Sequence, residues 1–472
     1  MNRFPLPLVP WEEFFYYKHR PSHPATFFAY FEFSQPLQRD TAEAALKIVC
    51  HKHPLMRAIV EPRGSKLFWN TVEPPEFHWC DSPVRIDDLD HGNLDICSEP
   101  GLKVWAFVGD PATARMPRPA SILVVIHHVA FDGLGVLQIL LDWINEYQQR
   151  QRATVNDTAR EPIAELPIPP RCRPTLTWAQ SLRLLPGQWK SIRASLHLFG
   201  RRAIPLTVDE PQGNTGPRKP HVLRFQLDAD TTLQLKQYAA AQQSSLNSIL
   251  IRDLLITIDQ WQSTLPALPT GTHLRIMIPI NERGLEHRHS AACNHCSMIN
   301  LERTREEVRN TLELLASIEQ EMGVIQKWKL SLNFWRALSV FRWLPNGLRR
   351  VQTSEVAATA SLTNLGRLRL TSTVATRAAD PPDSTNPLRL TNFEIAAPLM
   401  HGTMAAFAVA YFHNGLKLTV QYDSHHLTVS QAEELLQQFR ALLCQRTTEK
   451  PAGTGPGSQR TAGNKDVADS AT

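Results

Sequence analysis

No uninterrupted apolar run in this 472-residue chain approaches the roughly twenty residues that a membrane-spanning helix needs. The opening stretch "MNRFPLPLVPWEEFF" breaks its apolar residues with three prolines and early acids, so it lacks the core of a secretory signal. Cysteine is scarce as well. Seven residues (Cys50, Cys80, Cys97, Cys172, Cys293, Cys296 and Cys444) are an odd number spread thinly, which argues against a disulfide frame and for reduced thiols. No G-x-S-x-G elbow, P-loop or dinucleotide fingerprint occurs, which disfavours a serine hydrolase and the common nucleotide-binding classes. An excess of one charge is missing too. Fifty basic against 45 acidic residues leave +5, too mild to call for nucleic acid, and no finger, RNP or helix-turn-helix pattern supports one. The expected setting is cytoplasmic, at most peripheral to a membrane.

What is present is globular: 42% hydrophobic and 20% charged residues. The length exceeds one ordinary core and predicts two lobes of roughly 150–220 residues each. Strand-like "ATFFAYFEFS", a helix over "DTAEAALKIVCHKHPLM" capped at Asp40 or Thr41, and strands "GLKVWAFVG" and "SILVVI" alternate in the first part. That alternation predicts an α/β fold with mixed sheets, its first lobe spanning residues 1–165. Residues 166–215 read as a proline-rich, basic connection holding an amphipathic helix at about 176–200. Residues 216–448 repeat the alphabet with helices at 229–241, 246–260 and 304–323, a strand "LRIMIPI" and two late strands. The small, polar stretch 449–472 reads as a disordered tail.

The chemistry concentrates in "SILVVIHHVAFDGLGVLQILLDWI". A strand ending at His127 sends the side chains of His127 and His128 to opposite faces. Asp132 and Gly133 close a turn before a helix with apolar residues at helical spacing, and Asp132 suits its N-cap. Such a turn can hold one imidazole rigidly at a cleft, as a general base requires. The alternative from spacing alone is a buried histidine pair with Asp132 as a cap only.

"HHVAFDG" matches the HHxxxDG signature, and the chain resembles the condensation-domain and chloramphenicol-acetyltransferase-like superfamily of CoA- or carrier-dependent acyltransferases. The segments "PLVPWEEFFYY", "HKHPLMRAIV", "DICSEPGLKVWAF", "IMIPINERG", "TNLGRL" and "LKLTVQYDSHHLT" follow in the expected order, over roughly residues 5–445. The resemblance implies two similar lobes forming a V around a central channel. It implies His128 as general base, with no acyl-enzyme, and His127 as a structural residue. Asp132 would point into an ion pair, for which Arg283 is the candidate partner, and Gly133 would be a spacer that leaves the channel open. Thr363 and Asn364 are candidates for an oxyanion or channel role. No bound cofactor is implied. The co-substrate would be acyl-CoA or an acyl group on phosphopantetheine of a carrier protein, and the acceptor a small alcohol or amine. The DFGWG motif of the plant branch is absent, and Asn247-Ser248 stands where wax ester synthases usually have asparagine–aspartate. A free-standing alcohol-acyltransferase or polyketide-associated type is expected. The competing class is a non-catalytic carrier-binding scaffold that kept the fold.

Two further features stand out. "HRHSAACNHCSM" gathers His287, His289, Cys293, His295 and Cys296, but a single C-x-x-C without a second pair favours an ordinary loop over zinc. Residues 171–208 and 322–354 are basic and aromatic with no acid inside them. The second stretch carries Lys327, Lys329, Arg336, Arg342, Arg349 and Arg350 beside Trp328, Trp335 and Trp343. Each reads either as a solvated helical face or as a surface for an acidic carrier protein, a CoA phosphate or anionic lipid.

Overall fold

The computed structural model describes residues 4–89, 93–110, 118–152, 164–172, 182–184, 187, 202–208, 220–284, 287, 289–350, 356–367 and 388–448. The tail at 449–472 and nearly all of the helix expected at 176–200 lie outside them.

The first part of the chain runs β1 (Leu6–Pro7), α1 (Pro10–Lys18), β2 (Thr26–Phe33), α2 (Arg39–Lys52), β3 (Ala58–Arg63), β4 (Lys66–Thr71), β5 (Phe77–Cys80), β6 (Leu102–Phe107), β7 (Ala120–His127) and α3 (Gly133–Arg152). The second runs β8 (His221–Leu227), α4 (Ala229–Ala241), α5 (Leu246–Gln262), β9 (Leu274–Asn281), β10 (Cys296–Arg303), α6 (Arg305–Arg309), α7 (Thr311–Trp328), α8 (Leu332–Trp343), α9 (Gly347–Arg350), β11 (Ala360–Arg367), β12 (Leu390–Ala396), β13 (Ala405–Phe412), β14 (Gly415–Tyr422) and α10 (Val429–Thr448). Helix α2 starts one residue before the expected cap. Gln38 is its N-cap, and Thr41 donates to the Gln38 side chain instead of capping the helix itself. The helix expected over 304–323 is two helices, because Asn310 leaves helical geometry and opens the second.

Three sheets form. The five-stranded sheet has the order β12-β2-β7-β6-β5, the six-stranded sheet β10-β9-β11-β13-β14-β8, and a small one β1-β4-β3. The six-stranded sheet mixes parallel pairs (β9/β11, β11/β13) with antiparallel ones (β13/β14, β14/β8). Strand β12 lies between β11 and β13 in sequence, yet it pairs antiparallel with β2 in the first sheet. Its mostly buried residues, Phe393 among them, pack in the first core. The second core forms around α5, α10 and the six-stranded sheet, with Trp261, Phe407 and Phe439 fully covered. Strand β7 sits between β2 and β6 with Thr26 opposite His127. Its central position and apolar side chains hold the HHVAFDG turn in place.

Candidate functional site

Strand β7 ends at His127, whose side chain turns into protein and is fully buried. The backbone N–H of Val129 donates to its Nδ1 at 3.2 Å. A backbone N–H only donates, so the His127 proton sits on Nε2 and is given to Nδ1 of His19, 3.0 Å away. Burial pushes the pKa of His127 well below the usual histidine range, and the neighbouring imidazoles of His19 and His128 add to this. His127 is a neutral, fully partnered ring.

His128, on the opposite face, lines a cavity of about 80 Å³ shared with Phe27, Pro279, Cys296, Leu365 and Ala397. Phe15 of α1 stacks on its ring at 4.1 Å and an interplanar angle of 8°. Asn294 Nδ2 donates to the His128 carbonyl and lies 3.1 Å from Nδ1. The amide of Asn294 cannot be turned over, because Trp11 Nε1, a donor only, bonds its Oδ1 at 2.9 Å. Burial lowers the pKa of His128 to about 4, partly offset by the Asp132 charge and by hydrogen bonds to the backbone at residues 128 and 131. The ring is neutral at ordinary pH, held on both sides, and partly open to the cavity.

Asp132 has all four of its contacts elsewhere. Arg283 donates Nη1 to Oδ2 at 2.8 Å and Nη2 to Oδ1 at 2.9 Å, a bidentate pair. Gly135 N donates to Oδ1 and His295 N to Oδ2, each at 2.8 Å, the first of them capping α3. Burial pushes the Asp132 carboxyl up, but Arg283 and the two backbone donors outweigh it and hold the pKa below its ordinary value. Arg283 also reaches the Cys293 carbonyl at 2.7 Å. It is therefore a nearly buried brace between the two parts of the chain, not a solvated loop arginine.

The segment that gathers histidines and cysteines is the wall of this site. Cys293 contributes its carbonyl, Asn294 its amide and His295 its backbone N–H, while the Cys296 thiol donates to Asn294 Oδ1. Rings of His287 and His295 lie 4.4 Å apart between centroids, and among the described residues no group of three or more His, Cys, Asp or Glu side chains could hold a metal. Burial keeps the Cys296 thiol pKa well above its usual value, so it stays protonated beside the cavity. Asn294 escaped the sequence reading. Only the crowding of polar types around it hinted that this segment mattered.

Gly133 borders the cavity beside His128. A Cβ there would meet Leu365 Cδ2 at 2.6 Å, so Leu365 of β11 fills the gap beside α3. Gly135 is needed for close approach, since a Cβ would come within 2.9 Å of the Cys293 carbonyl oxygen. Strand alternation separates the two β11 candidates. Thr363 shares the face of Leu365 and lines the cavity, and its hydroxyl makes no side-chain hydrogen bond among the described residues. Asn364 also borders the cavity, but its amide bonds Asn247 Oδ1 at 3.2 Å and Gly366 N at 2.9 Å.

The two depressed histidines set a pH dependence. An unfolded histidine titrates near 6.5, above the folded values of His127 and His128, so the unfolded chain binds more protons as the medium is acidified. Their contribution to stability is present above about pH 6.5 and is lost progressively as pH falls toward about 4. Urea unfolding should therefore show a lower midpoint at about pH 5 than at about pH 7, and His128→Ala should flatten that difference.

No family model matches the chain, and no curated protein matches its sequence. Solved structures do match its fold. The epimerization domain from the third module of tyrocidine synthetase B superposes with a TM-score of 0.61 at 14% identity, covering 94% of this chain and 97% of that one. Polyketide synthase associated protein 5 from Mycobacterium tuberculosis gives 0.61 at 16% identity, covering 94% and 98%. The condensation domain from the Monacolin K polyketide synthase gives 0.61 at 11% identity, covering 94% and 97%.

Proposed function

From a chain with the condensation-domain fold, we propose an acyltransferase that moves an acyl group from a CoA or carrier-protein thioester to a hydroxyl or amine. The observation that carries this reading is a neutral imidazole, His128, pinned between Phe15 and Asn294 with part of its surface on a cavity. Covalent geometry lets only Nδ1 reach the backbone of its own residue. Nδ1 faces both that backbone and Asn294 Nδ2, so Nε2 is the nitrogen left to meet substrate, and the proposed mechanism uses the tautomer that carries its proton on Nδ1.

In the proposed reaction Nε2 accepts the acceptor's proton as its oxygen or nitrogen attacks the thioester carbonyl. The new C–O or C–N bond forms, the C–S bond breaks, and the proton passes to the departing thiolate. Both substrates meet in the cavity, so positioning supplies much of the rate. Cys296 takes no covalent part because its thiol remains protonated. Asp132 and Arg283 act on the backbone that carries His128 and α3, not on substrate. Thr363 is the side-chain donor for the developing oxyanion, and Thr363→Val is expected to lower kcat by about a hundredfold with little change in stability. An unchanged kcat would remove Thr363 from the mechanism.

The neighbours in secondary-metabolite synthases make an acyl carrier protein a natural donor, with acyl-CoA as the freely diffusing equivalent. The test is a panel of acyl thioesters with alcohols and amines, read by mass spectrometry for ester or amide. At least one pair should give product with wild-type protein. No product across a broad panel would favour a non-catalytic carrier-binding scaffold.

A further inference from the structure

The inner face of helix α8 is bolted to the site region. Leu332, Trp335 and Leu338 are buried, and Trp335 Nε1 donates to the Cys296 carbonyl at 3.0 Å. Phe334 meets Trp11 and Phe14 edge-on at 5.5 and 5.6 Å. At the helix end Arg342 pairs with Glu13 at 2.9 Å, and the Arg349 guanidinium of α9 lies over the Tyr17 ring. The outer face is different. Val340 is 64% exposed, Trp343 88% and Leu344 51%, at i, i+3 and i+4. With Val324 of α7 they make four of the nine exposed large hydrophobics among the described residues, all within one short stretch. A rigid helix that leaves a tryptophan this bare has a surface suited to covering.

Charge indicates what covers it. Between Glu321 and Glu355 the sequence holds no acid, while the exposed Lys327, Lys329, Arg342 and Arg349 flank the apolar residues along the chain. Acidity alone in a carrier protein would match the cations but would not account for the protruding Trp343, Val340 and Leu344. A bilayer with anionic headgroups satisfies both, since tryptophan favours the headgroup boundary and each lysine or arginine gains from the negative surface. Among the described residues no helix is long and apolar enough to cross a membrane, so the contact is peripheral. We propose that the α7–α9 face docks the protein on anionic lipid bilayers through Trp343, Val340 and Leu344, with Lys327 and Lys329 as electrostatic anchors. Docking there would set the bilayer against the helix whose inner face holds the cavity wall at Cys296.

The test is co-sedimentation of the full chain with vesicles of phosphatidylcholine alone or mixed with phosphatidylglycerol. Wild-type protein should bind the mixed vesicles, weakly bind the neutral ones, and be released by salt. The triple variant Val340→Ser, Trp343→Ser, Leu344→Ser and the pair Lys327→Glu, Lys329→Glu should each bind about tenfold or more weakly. All five positions are exposed, and unchanged thermal melts would show the variants folded. The proposal is overturned if wild-type protein ignores anionic vesicles, or if folded variants bind as well as wild type. It is equally overturned if the triple variant loses self-association or carrier-protein binding while vesicle binding is absent.

Discussion

Under the proposed mechanism His128→Ala is expected to lower acyl-transfer turnover by about two to four orders of magnitude, the range that a positioned general base contributes. The protein should stay folded, because among the described residues the ring's aromatic neighbours are Phe15 and Phe27 and its loss leaves no buried charge. The effect falls on kcat more than on KM, since the neutral imidazole acts as the proton moves. With a folded-state pKa near 4, the wild-type base stays unprotonated through neutral and mildly acid pH. Turnover should therefore show no acid limb from His128 until pH approaches about 4, provided the fold survives. A limb near pH 6.5 would mean that the working ring is hydrated and not desolvated.

Arg283→Ala is expected to cost about 3–5 kcal/mol of stability. It strands the Asp132 carboxylate, 4% exposed, with two backbone donors and no cation. It also removes the donor to the Cys293 carbonyl. The double variant Asp132→Asn, Arg283→Ala should recover part of the loss, because the amide needs no counter-charge. Urea unfolding of the single and double variants measures this. Equal stabilities of Arg283→Ala and wild type would show that the bidentate pair contributes little.

The histidine turn could be read from a short piece of sequence because its determinants are local. An apolar strand, a capping aspartate and a helix follow one another, and the backbone periodicities place their side chains. The partnership of Asp132 with Arg283 spans 151 positions and came from the order of motifs, not from any periodicity. What stayed hidden depends on backbone groups and long-range pairing. The Cys293 carbonyl and the His295 N–H do their work whatever side chains they carry, so no residue type in the sequence signals them. Asn294 and Phe15 become meaningful only once α1, β7 and β10 are neighbours. The same holds for β12, whose apolar residues would suit either sheet and which joins the first. No local signal announces Leu365 of β11 packing beside Gly133 either.

The most direct measurement mixes wild-type protein or His128→Ala in excess with an acyl thioester, with and without a matched acceptor. Thiol release and intact protein mass are followed through one turnover. The account predicts thiol only when acceptor and His128 are both present, with the protein mass unchanged throughout. A burst of thiol without acceptor, a protein heavier by one acyl group, or equal turnover by folded His128→Ala would contradict it.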